Sequence, residues 1–137
     1  MSEILNADLE LEQLEQRVRQ MYGQLYRSNE GFMNWTEARM LAARDARFRT
    51  KLNALMLEKR DFIAAFIVHF HERVGVSPPS PPAEMAMGLM SLVEGVKLFR
   101  LSSPQDMSAP AAESILTLFI DSLIRLARSR ASEPQKT

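Results

Sequence analysis

The sequence predicts an all-α protein, a bundle of about five helices, and three observations lead there. Apolar residues recur at steps of three and four along most of the chain, the spacing that keeps them on one helical face. No stretch sustains the period-two alternation of a strand, and no Asn-Gly pair offers a hairpin turn. Gly and Pro are scarce up to Val74 and cluster afterwards, which leaves the first half free to run as long helices.

The first helix is expected over about residues 8–28. Leu11, Leu14, Val18, Met21 and Leu25 form one narrow apolar stripe, and Glu10, Glu12, Gln13, Glu15, Gln16 and Arg17 fill the other side. The segment SNEG at 28–31 supplies a stop. A short second helix, about 32–44, carries Phe32, Met33, Trp35, Ala38, Leu41 and Ala42. The run RDAR at 44–47 breaks the pattern, with Asp45 placed to cap the next helix. The third helix, about 46–74, repeats Phe48, Leu52, Leu55, Phe62, Phe66 and Phe70 at helical spacing. At 1.5 Å per residue it is roughly 40 Å long, the spine of the domain. Gly75 ends it, and SPPSPP at 77–82 is a stiff, extended loop. Ser80 before Pro81 reads as the cap of a fourth helix, and Ser108 before Ala109 and Pro110 repeats the device for a fifth. That last helix runs to about Arg130, with Ile115, Leu116, Phe119, Ile120, Leu123 and Ile124 as its apolar face, and frayed tails are expected at 1–7 and 131–137.

The fourth helix poses the main question. From Met85 to Leu101 its only charges are Glu94, Lys97 and Arg100, three apart on one thin stripe. A helix on a domain surface normally shows a polar half. This one needs cover on two faces. The third helix can supply one; a second copy of the chain, pairing the last two helices of each subunit in a four-helix interface, can supply the other. Leu89, Leu92, Val96 and Phe99 with Ile115, Phe119 and Leu123 are the candidate contacts. Ala86, Gly88, Ser91 and Gly95 are small enough to let backbones come close. The alternative is a central helix in a monomeric bundle.

With 137 residues the chain suits a single domain, and 46% hydrophobic and 25% charged residues are ordinary for a globular one. Basic and acidic residues balance, which argues against unaided nucleic-acid binding. The absence of Cys excludes disulfides, thiol catalysis and Cys-based metal sites. The acidic start MSEILNADLE does not read as a signal peptide, and no apolar run is long enough for a bilayer. A cytoplasmic protein without a membrane segment is expected.

The stretch NWTEARMLAARDARFRTKL, residues 34–52, resembles the middle of the regulatory domain of the tetracycline-repressor (TetR) family of transcriptional regulators. The matching positions are Trp35, Glu37, Ala42, Arg44, Asp45, Phe48, Arg49 and Leu52. The Gly75–Pro79 loop, the VEGVKLF segment at 93–99 with its Glu94-Gly95 pair, and SPQDMSAPAAESILTLFIDSL near the end are similar to the family as well. The resemblance covers about residues 8–126 and implies a helical domain that binds a small effector and dimerises through its last two helices. Family members open with a three-helix DNA-binding head, which this sequence lacks, so the chain alone is not expected to bind DNA.

Met21, Phe32, Trp35, Phe62, Phe66, His69, Met87 and Met90 are the candidate walls of an apolar ligand pocket, chosen by facing rather than by motif. Met-rich walls suit varied apolar guests, although Met also serves as plain core filling. His69 and His71 diverge by about 200° on a helix and cannot share a metal. His69, between Phe66 and Phe70, is either a ligand contact or a satisfied core histidine. Tyr22 and Tyr26 offer either hydroxyls or core edges. No phosphate loop, nucleophile–base set or paired carboxylates stand out. A non-enzymatic protein without cofactor or metal is expected, its partners a second copy of itself and a small hydrophobic effector. A ligand-free helical dimerisation or adaptor module is the alternative.

Overall fold

The computed structural model describes residues 11–27 and 32–133. Among these residues the chain is all-helical, with five α-helices and no strand. They are α1 (Leu11–Gly23), α2 (Phe32–Arg44), α3 (Ala46–Val74), α4 (Pro82–Ser102) and α5 (Ala109–Ala131). A single 3₁₀ turn, Leu25–Arg27, follows α1. The expected stop SNEG and both expected tails lie wholly or largely outside the described residues.

The α2–α3 junction is one residue long. Asp45 is extended (φ −126°, ψ 110°), and its carboxylate accepts from the Arg47 and Phe48 backbone N–H groups at 2.9 and 3.2 Å. These are donors that the first turn of a helix otherwise leaves unpaired. Arg49 reaches back from α3 to the other helix, donating through Nε to the Ala42 carbonyl at 2.8 Å and through Nη2 to the Ala43 carbonyl at 3.1 Å. One cap thus starts α3, and one arginine closes the last carbonyls of α2. Asp45→Ala is expected to cost about 1 kcal/mol and to lower the melting temperature by a few degrees in a calorimetric scan. An unchanged melting temperature would show that water replaces the cap.

Gly75 ends α3 in the left-handed region (φ 88°, ψ 25°), where a side chain is disfavoured; its N–H and that of Val76 both donate to the His71 carbonyl, at 2.9 and 3.1 Å. Ser108 caps α5 as its position suggests, accepting from the Ala111 N–H at 3.2 Å. Ser80 does not cap α4. The cap position falls on Pro81, no side chain bonds there, and the first internal bond runs from the Met85 N–H to the Pro81 carbonyl at 3.1 Å. Pro81 and Pro82 have no N–H to satisfy, so the start needs less capping.

Helix α1 packs mainly on α5, α3 on α4, and α2 along α3. Leu14 of α1 and Leu116 of α5 are the largest fully buried side chains. Ala86, Ala112 and Ala127 are also fully enclosed, small residues that let helices cross closely. Beside them Glu15 is 6% exposed and ion-paired to Arg128 Nε at 2.5 Å, with Arg19 Nη1 at 3.9 Å. Arg19 also holds Asp121 at 2.8 Å, and that hydrogen bond is the largest cause keeping the Asp121 carboxyl below its ordinary value. The α1 stripe is therefore held on α5 by apolar burial at its centre and charges along its edge. Gly23 belongs to the same contact: a Cβ there would stand 2.5 Å from Thr117 Oγ1, so the end of α1 lies close against α5.

Candidate functional site

Helices α1, α3, α4 and α5 do not close completely on one another. Between them lies a cavity of about 800 Å³. Its inner end is apolar, with Val18, Ile67, Phe70, Leu89, Ile120 and Ile124 all buried. Its outer end is bordered by Trp35, Leu55, Glu58, Lys59, Glu94 and Lys97, several of them exposed.

Two polar groups face the inner end. Tyr22 donates its hydroxyl to the Leu89 carbonyl at 2.8 Å, which ties α1 to α4, and burial pushes the phenol above its ordinary value. It therefore stays protonated as a donor. His71 is 4% exposed, its Nδ1 2.8 Å from the Ile67 carbonyl. A carbonyl oxygen only accepts, so in this contact Nδ1 carries a proton and donates it to Ile67.

At the outer end the charges are organised around Trp35. Its Nε1 donates to Glu94 Oε1 at 3.2 Å, and the same oxygen pairs with Arg39 Nη2. The Arg39 guanidinium stands 5.2 Å and the Lys59 ammonium 5.0 Å from the indole ring centre, within cation–π reach. Lys97 is half-buried; burial first, then the Lys59 charge, lowers its pKa, while Glu94 acts in the opposite sense.

Of the expected walls, Met21, Trp35, Phe62, Phe66 and Met90 border the cavity. The Phe32 side chain lies outside the described residues. His69 does not line it; His71, on the opposite side of the helix, takes that place. The Phe residues flanking His69 suggest an inward direction, but the inward row of α3 is Phe66, Ile67, Phe70 and His71. Met87 is exposed and borders a smaller space of about 130 Å³ between α2, α3 and α4 instead. Lys59, Glu94 and Lys97 are not among the expected walls. The signal for the last two is the charge stripe of α4, which by periodicity alone reads as a water-facing edge.

That stripe turns inward. Glu94 bonds Trp35 and Arg39, Lys97 borders the cavity, and Arg100 stands 5.3 Å over the Tyr26 ring and donates to the Met107 carbonyl at 3.2 Å. The outer face of α4 carries Met87, Gly88, Ser91, Leu98, Phe99 and Ser102 instead. Three serine hydroxyls of this surface, Ser91 and Ser102 on α4 and Ser122 on α5, all donate to carbonyls four residues earlier in their own helices. Beside them on α5 stand Leu118, 68% exposed, with Ile115, Phe119 and Leu126. The space over Gly88 and Gly95 is open: no atom outside the helix backbone stands within 4 Å of where a Cβ would project. Among the expected pairing residues, Phe99, Ile115 and Phe119 lie on this surface. Leu89 and Val96, 6% and 3% exposed, are instead core residues of their own subunit. Leu92 packs partly buried on that core, and Leu123 lines the cavity. The outward row of α4 is thus about a quarter turn from the one expected, with Phe99 common to both.

Comparison of the chain with protein-family models, curated proteins and solved structures gives no match. Among the described residues no helix is long and apolar enough to cross a membrane.

Proposed function

We propose that this chain is the effector-binding and dimer-forming domain of a cytoplasmic transcriptional regulator of the tetracycline-repressor kind. It acts as a homodimer that takes up a small, mainly apolar molecule, and it binds rather than transforms that molecule. The observation that carries this reading is the cavity of about 800 Å³. Its size falls within the roughly 300–1,000 Å³ of small-molecule sites, and its apolar walls with a few polar groups match their usual composition. The sequence resemblance at 34–52 and the Arg-Asp junction it contains support the family assignment.

The uncovered surface on α4 and α5 supports the pairing. An apolar surface of this kind is normally covered in the working assembly, and a two-fold axis covers it with its own copy. Operator contacts would come from a separate helix-turn-helix segment. A ligand between α3 and the α4–α5 pair would favour the arrangement in which those helices stand further apart, and so shift the population between two states.

A thermal-shift screen of hydrophobic small molecules tests this. A true effector at about a hundredfold excess over its Kd adds roughly 2.7 kcal/mol to the native state, a rise of several degrees. Met90→Trp, which fills the cavity, is expected to remove the shift while the protein stays folded. If no compound shifts the wild type, or the shift survives Met90→Trp, the ligand-sensing reading fails and a ligand-free pairing module takes its place.

A further inference from the structure

Polar chemistry at the buried end of the cavity is confined to two side chains. Along α3 the exposed outer end (Glu58 and Lys59) and the buried inner end (Phe70 and His71) are twelve residues apart, about 18 Å at helical rise. Ile63, Ile67, Phe70, Met85 and Leu89 make the inner stretch apolar. Among the described residues that line it, only Tyr22 and His71 bring polar atoms to that end. A guest that reaches it from the opening is elongated and meets apolar walls for most of its length.

Both polar groups have a proton engaged inside the protein. The Tyr22 hydroxyl donates to the Leu89 carbonyl at 2.8 Å, and His71 Nδ1 donates to the Ile67 carbonyl at 2.8 Å. His71 is 4% exposed, and its Nε2, on the ring edge further from the backbone, has no partner among the described residues. With Nδ1 holding the proton of the neutral ring, Nε2 is an acceptor only, and the Tyr22 oxygen likewise has lone pairs left. The inner end thus asks for a donor. A buried acceptor left without one costs free energy that a suitable guest recovers. A hydroxyl supplies the donor. An ether, a ketone or a carboxylate sets lone pairs against lone pairs, and an ammonium group would lose its hydration among apolar walls.

We infer that the inner end of the cavity is a seat for a hydroxyl group at the tip of an elongated, otherwise apolar molecule, with His71 Nε2 as the acceptor. This rests on the ligand-binding reading above and names the chemistry of the ligand. An aromatic and an aliphatic body are the two sources of such a molecule, and both present the same tip.

Calorimetric titrations at about pH 8, where an imidazole is ordinarily neutral, would compare para-phenylphenol with para-methoxybiphenyl and para-acetylbiphenyl. Decanol would be compared with its isomer methyl nonyl ether. In at least one series the hydroxyl compound is expected to bind about tenfold tighter than its ether. The series that shows the preference tells an aromatic body from an aliphatic one. His71→Phe keeps a ring and removes the acceptor, and should bring the ratio of hydroxyl to ether affinity near parity, with circular dichroism confirming the fold. On the wild type, nuclear magnetic resonance of nitrogen-labelled protein gives a second reading that needs no variant. The His71 Nε2 signal is expected to move on binding of the hydroxyl compound and to move much less with the ether. The only other histidine, His69, does not line the cavity and serves as the reference. Equal binding of hydroxyl compounds and ethers by the wild type overturns the inference and leaves the cavity reading standing. A preference that survives His71→Phe, or an Nε2 signal unmoved by a bound hydroxyl compound, overturns it as well. If no member of either series binds, both readings fall.

Discussion

Leu118→Arg is expected to convert a dimer into single chains of 15.6 kDa in sedimentation at micromolar concentration, while the wild type sediments at twice that mass. Among the described residues Leu118 is the most exposed large apolar side chain, and it lies on the surface formed by Ile115, Phe119 and Leu126. It takes no part in the core of its own subunit, so the substitution leaves that core intact. Across a two-fold interface it would sit near the middle and meet its own copy's surface. An unpaired guanidinium buried there costs about 3 kcal/mol or more, which is roughly two decades in Kd. A wild type that sediments as a stable single chain would remove the pairing proposal altogether. A variant that remains dimeric would move the interface off α5.

Two residues earlier on the same helix the same residue type has the opposite role. Leu116 has no exposed surface and packs in the cluster shared by α1, α4 and α5. Leu116→Ala removes that buried side chain and leaves a cavity that rigid neighbours fill poorly. The expected loss is about 3–4 kcal/mol, or roughly 10 °C in melting temperature, with no change in the association constant of the folded protein. Chemical denaturation and sedimentation together check both parts. A loss below about 1 kcal/mol would mean that the helices close over the gap. The pair of variants thus separates folding from association at two positions about 3 Å apart along the axis of one helix, on opposite sides of it.

Local signals are legible in the sequence. The bounds of α2 and α3, the Asp45 and Ser108 caps and the Gly75 stop each depend on residues within one turn, and in each the structure agrees with the sequence. Five of the eight expected pocket residues line the cavity for a similar reason: a helical repeat shows which side chains share a face. Periodicity does not show which neighbour claims that face. Helix α4 has two apolar rows, Ala86, Leu89 and Val96 on one side and Met87, Leu98 and Phe99 on another, and nothing local ranks them. The inward face is instead marked by distant partners: the Tyr22 hydroxyl bonds the Leu89 backbone carbonyl, and Arg39 and Trp35 bond Glu94. Those partners are 67, 55 and 59 residues distant in sequence. The exchange of His69 for His71 has the same origin, since both lie on a helix that carries aromatic residues on more than one side.

The one-residue joint at Asp45 gives α2 and α3 the shape of a crank. Arg49 ties the two arms together, so a swing of the short arm that leaves the long one in place would break its two bonds to the end of α2. The short arm carries Trp35 to the cavity opening; the long arm has 29 residues. At about 1.5 Å each, a tilt of about 5° at the joint carries its far end through roughly 4 Å, so a slight push on the indole becomes a stroke large enough for another body to feel.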